Sequence, residues 1–129
     1  MPLESPYLSI AAARALYAAG DAAHDFDHVW RVTQLAAQLA VTEGADVTVV
    51  QIAALLHDVP VDAQSGIAPT QLRKAHHLAA ADFARTYLSD RGMPIAQVDN
   101  VVHCIEAHRF RDQAVQPTTL EAKCLYDAD

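Results

Sequence analysis

A chain of 129 residues, 52% apolar and 19% charged, is long enough for one packed core and too short for two independent ones. Nine basic against 16 acidic residues give a formal charge of −7, which excludes binding of nucleic-acid polymers through a basic surface; Arg109 and Arg111 come nearest to a basic patch. No run reaches the roughly 18–20 uninterrupted apolar residues of a membrane span. Residues 1–10 carry an early Glu4 and two prolines instead of the basic start and apolar run of a signal peptide, so a cytoplasmic protein with no membrane contact is expected.

The pattern is helical almost throughout. Residues 6–19 place Leu8, Ala11, Ala12, Ala15 and Leu16 on a helical repeat, with Ser5-Pro6 as a start signal and Gly20 as a stop. Residues 20–27 are polar and read as a turn. A second helix over 27–43 has Val29, Val32, Leu35, Ala36 and Leu39 as its stripe and ends at Gly44. A third over 46–57 turns Val49, Ile52, Ala53 and Leu56 inward and is broken by Val59-Pro60. Residues 60–69 read as a loop, 69–91 as a fourth helix and 95–108 as a fifth. After a polar turn over 110–116, Pro117 opens a last helix in which the chain ends. Strand-like alternation is absent, so residues 1–129 are expected to form one all-α domain of five to six helices. Cys104 and Cys124 fall inside apolar helical patterns and read as buried thiols, not as a disulfide framework.

Seven histidines are many for such a chain, and most fall in clusters. His24 and His28 are four apart, a spacing that puts both on one helical face and allows them to share an ion, although Asp and His in a turn also serve as caps. His57-Asp58 closes an apolar helix, where a polar pair must reach solvent or find a partner; imidazole with carboxylate suits a divalent cation of intermediate hardness. His103 and His108, five apart with Glu106 between them, point in different directions and are poor co-ligands of one ion. Asp127 and Asp129 close the chain.

The order of these clusters resembles the HD-domain superfamily of metal-dependent phosphohydrolases, whose signature is H…HD…D on a helical core. The matching segments are HDFDHVWRV (24–32), AALLHDVP (53–60), IEAHRF (105–110) and PTTLEAKCLYDAD (117–129). The resemblance covers the chain after about residue 20 and is closest to a subgroup of small predicted hydrolases. It implies one divalent metal ion (Mn, Fe, Co, Ni, Zn or Mg) held by His28, His57, Asp58 and Asp129. It further implies hydrolysis of a phosphate ester or anhydride in a small phosphorylated molecule, a nucleotide by expectation. Asp58 would orient the attacking water, and His103, His108 or Asp62 would protonate the leaving group. Arg31, His24, Arg73 and Arg109 are the candidates for holding the substrate phosphate, with Lys74 as a further cation.

The chain also departs from the pattern. Relatives often continue after the last aspartate with further helices, so a chain truncated relative to them is expected, with a dimer covering the faces left bare. Related guanosine-tetraphosphate hydrolases follow His-Asp with an acidic pair; here Val61 replaces the first acid and Asp62 matches the second. Two other readings stand beside the phosphohydrolase. One is a non-catalytic metal- or ligand-binding regulatory module with the same shell. The other is a two-iron oxygenase, which requires His77 and His103 as additional ligands; His76 and His77 otherwise read as surface or core-edge residues.

Overall fold

A computed structural model describes residues 7–17, 23–59, 69–108 and 116–128, with the backbone alone described at 23–25 and 69–78. Among the described residues there are six helices and no strand: α1 (Ile10–Tyr17), α2 (Ala23–Glu43), α3 (Val47–Leu56), α4 (Pro69–Asp90), α5 (Ile95–Ala107) and α6 (Leu120–Ala128). The all-α expectation holds. No helix among them is long and apolar enough to cross a membrane.

Local chemistry sets the helix ends, and three of them differ from the sequence reading. α1 starts at Ile10, later than the Ser5-Pro6 signal suggests, because Ser9 Oγ accepts the Ala12 N–H at 3.1 Å and caps it. α2 starts at Ala23, inside the stretch read as a turn, so His24 and His28 lie one turn apart on the same helix. α6 starts at Leu120 and not at Pro117, because Thr119 Oγ1 accepts the Ala122 N–H at 3.1 Å and becomes the cap. α3 matches its expected start: Asp46 accepts the Val49 N–H at 3.2 Å.

Glycine ends α2 and α4. Gly44 and Gly92 adopt φ of +76° and +82°, and the following N–H groups of Ala45 and Met93 reach back to the Ala40 and Leu88 carbonyls at 2.9 and 3.1 Å. Each glycine reverses the chain within a few residues and makes α2–α3 and α4–α5 tight helical pairs.

α3 is the central helix. The sequence stripe turns Val49, Ile52, Ala53 and Leu56 inward, but the structure buries Val50, Ala54 and Leu55 as well. α2, α5 and α6 all pack against α3, so only Val47, Thr48 and Gln51 of this helix keep partial exposure. α2 and α6 also pack against each other, as do α5 and α6, and α4 covers α5.

Candidate metal centre

The two ends of α3 differ in chemistry. At its start, Asp46 and Glu121 tie three helices together. The Asp46 N–H donates to Glu121 Oε2 at 2.7 Å, the Asn100 amide donates to Glu121 Oε1 at 2.9 Å, and the Thr119 hydroxyl donates to Asn100 Oδ1 at 2.8 Å. The Gln97 amide reaches Asp46 Oδ2 at 3.4 Å. Partial burial pushes the Glu121 carboxyl up, but the Asp46 N–H and the Asn100 amide outweigh it and hold the pKa below its ordinary value.

These bonds fix the directions of the helices. Gln97 and Asn100 lie near the start of α5 and Glu121 near the start of α6, so α5 and α6 both run alongside α3 in the same sense. α2, joined to α3 through residues 44–46, runs the opposite way. The beginning of α2 and the ends of α3, α5 and α6 therefore gather at the other end of the bundle, about 15 Å along α3 by the helical rise. These are the segments that carry His28, His57-Asp58, His108 and Asp127.

At that end His57 and His108 are both buried, with 2% and 5% exposure, and each occupies the C-cap of its helix. Their rings meet edge to face, centroids 4.9 Å apart with planes at 78°. His57 Nδ1 lies 2.5 Å from the Ala54 carbonyl oxygen, and His108 Nδ1 lies 2.5 Å from that of Ile105. A carbonyl oxygen only accepts, so both Nδ1 atoms carry the proton and donate it. In the neutral ring the Nε2 atom then carries the lone pair, the form in which imidazole binds a metal or takes up a proton. Three helix C-termini, each bearing a partial negative charge, add a field that favours a cation here.

A sequence profile described as HD domain matches residues 25–129, which is most of the chain. The chain belongs to the HD-domain family. This HD domain is 34% identical over 109 residues to the uncharacterised protein YpgQ of Bacillus subtilis (strain 168), covering 82% of this chain and 49% of that protein. It also superposes, with a TM-score of 0.67 and 31% identity, on a crystal structure from an uncultured Thermotogales bacterium described as a predicted HD superfamily hydrolase. That match covers 90% of this chain and 61% of the other. The chain thus spans about half to three fifths of the relatives it matches.

HD domains generally bind divalent metals. The donors at this end suit one: a buried imidazole with its Nδ1 anchored, next to the half-buried carboxylate residue Asp58. Among the described residues no three His, Cys, Asp or Glu side chains are grouped so as to hold an ion. The expected ligand Asp129 lies outside the described residues, as do Asp62, Arg109 and the side chains of His24, Arg73, His76 and His77. His28 and Arg31 are both exposed on α2, three residues apart and so on one side of it.

His103 is engaged with the segment just ahead of α6. Its Nε2 accepts the Thr118 N–H at 3.0 Å, and the Thr118 hydroxyl lies at the same distance. It braces the entry to α6, whereas His108, five residues later, faces His57. Tyr17, Asn100, Thr119 and Glu121 are structural residues that stand outside the sequence motifs. Thr119, three residues before Ala122 and just ahead of an apolar stretch, gave a capping signal that the more prominent Pro117 obscured. The other three act across 38, 21 and 75 residues of sequence, and no local pattern marks them.

Proposed function

We propose that this HD domain is a metal-dependent phosphohydrolase that cleaves a phosphate ester or anhydride, with nucleotides as the substrate class. The observation that carries the reading is the buried His57–His108 pair, with both Nδ1 atoms tied to backbone carbonyls. Family membership and the likeness to a predicted HD superfamily hydrolase support it. His28, His57, Asp58 and Asp129 would hold one divalent ion. When bound, such an ion makes hydroxide available near neutral pH and polarises a phosphoryl oxygen.

The remaining roles fall to the protein's own groups. Asp58, adjacent to His57, accepts a hydrogen bond from the attacking water and orients it. His108 takes up a proton on Nε2 and delivers it to the leaving oxygen. The Ile105 carbonyl, already bonded to Nδ1–H, stabilises the imidazolium that forms. His103 and Asp62 are the alternative acids. Arg31 supplies positive charge on the side of α2 that carries His28, and His24, Arg73 and Arg109 are the further candidates for holding phosphate.

The test is phosphate or pyrophosphate release from a panel of nucleotides by the purified protein with Mn²⁺, alongside its metal content. Release that depends on both the metal and Asp58 supports the proposal. Bound metal with no release from any nucleotide would assign the domain to a binding role instead.

A further inference from the structure

α1 lies ahead of the residues that match the HD family, yet it places a polar atom on the turn that carries His57-Asp58. Tyr17 is 1% exposed, and its hydroxyl donates to the Leu55 carbonyl at 2.6 Å. The last turn of α3 has three carbonyls to satisfy, and each has a different partner. Ala54 accepts the His57 Nδ1–H, Leu55 accepts the Tyr17 hydroxyl, and Leu56 accepts the Val59 N–H at 3.2 Å. In a continuing α-helix the Val59 N–H would bond to Leu55; here it bonds one residue later, which tightens the turn. Tyr17 thus takes the place of the backbone donor that the tight turn withdraws from a fully buried carbonyl.

The tyrosine ring is itself held. It meets Phe26 edge to face at 5.5 Å, and the Arg14 guanidinium lies 4.6 Å from the centre of the Phe26 ring. The contact therefore joins α1, the first turns of α2 and the end of α3 in one rigid arrangement.

We propose that Tyr17 is a positioning residue: its hydroxyl fixes the turn that ends α3 and so sets the orientation of His57 and Asp58. The consequence for metal affinity rests on the metal-dependent reading given above; the consequence for His57 itself does not. Tyr17→Phe keeps the ring and its packing and removes only the donor. In the metal-free protein, imidazole ¹⁵N spectra of the wild type should show His57 as one tautomer, protonated at Nδ1. In Tyr17→Phe the Nε2-protonated form should become populated beside it. The Mn²⁺ dissociation constant rises about fivefold to tenfold, toward the effect of losing an outer-shell partner. Val98→Ala, at the far end of α3 near the start of α5, lowers the melting temperature without moving either readout.

Wild-type His57 signals in Tyr17→Phe overturn the proposal, and so does an equal change in Val98→Ala. If Tyr17→Phe does not fold, the wild type decides the matter: a Tyr17 hydroxyl proton held in the bond to the Leu55 carbonyl should exchange slowly with solvent, and one that exchanges as fast as in free tyrosine overturns the proposal. A wild type that binds no Mn²⁺ defeats the metal reading alone, because the His57 spectra still decide the role of Tyr17.

Discussion

His57 and His108, 51 positions apart in the chain, meet edge to face with ring centroids 4.9 Å apart, each hydrogen-bonded through Nδ1 to the carbonyl three residues before it. The arrangement follows from α3 and α5 running side by side in the same direction and ending at the same level. It gives two imidazoles of defined tautomer in a buried setting, one beside the carboxylate of Asp58.

Replacing His108 with Phe keeps the edge-to-face packing and removes both ring nitrogens. Nucleotide hydrolysis is expected to fall by about 10²–10⁴-fold, the contribution of a positioned acid. Mn²⁺ should remain bound. The Ile105 carbonyl loses its partner, at a cost of about 1–3 kcal/mol in thermal or urea unfolding. Undiminished turnover would remove His108 from the mechanism.

Asp58→Ala should abolish both metal binding and hydrolysis while leaving the helical circular-dichroism spectrum close to that of the wild type. Asp58 follows α3 and is only half-buried, so its loss leaves the core of that helix intact. Metal analysis after dialysis, with phosphate release, provides the check.

Glu121 makes stability depend on acid. Its pKa is held below the unfolded-state value, so the stabilisation is complete above the unfolded pKa and is lost as pH falls through the folded one. Glu121→Gln should cost about 1 kcal/mol at neutral pH. It should also flatten the stability profile on the acid side, as read from urea midpoints across pH. A profile as steep as that of the wild type would mean that other carboxylates carry the acid sensitivity.

Cys104 is buried, and burial first and the nearby Glu121 second push its thiol pKa well above the ordinary range. Cys124 is shifted in the same direction, again mainly by burial. Neither thiol should react measurably with an aromatic disulfide reagent at pH 8 in the native state, and both should react on unfolding. Rapid native-state labelling would show that α5 and α6 separate locally.

Gly44→Ala and Gly92→Ala should each cost about 1 kcal/mol or slightly more, because the added Cβ meets no neighbour and only the positive φ opposes it. Melting temperatures of the two variants test this.

Much of the fold was legible in the sequence because it is encoded locally. The apolar period of 27–43 and 46–57 defined α2 and α3, and the glycines at 44 and 92 defined the reversals after α2 and α4, to within a few residues. Where the reading failed, a small side chain outweighed a proline: Ser9 and Thr119 accept N–H groups and start α1 and α6 later than Pro6 and Pro117 suggested. The polarity of residues 20–27 suggests a turn, yet residues 23–27 form the start of α2; Phe26, 2% exposed against Tyr17, anchors it.

By itself, the sequence determined the helical class, the HD-domain family and the prominence of His57-Asp58, since these depend on periodicity and on residue order. Only the tertiary structure decided which groups meet. Glu121 and Asp46 align α6 with α3, His108 and not His103 turns toward His57, and Tyr17 reaches the Leu55 carbonyl from outside the family-matched segment. The physical reason is the same in each case. A hydrogen bond or ring contact between distant residues depends on how whole helices pack, and that packing is fixed by the burial of most of α3 and not by any pattern around the residues that touch.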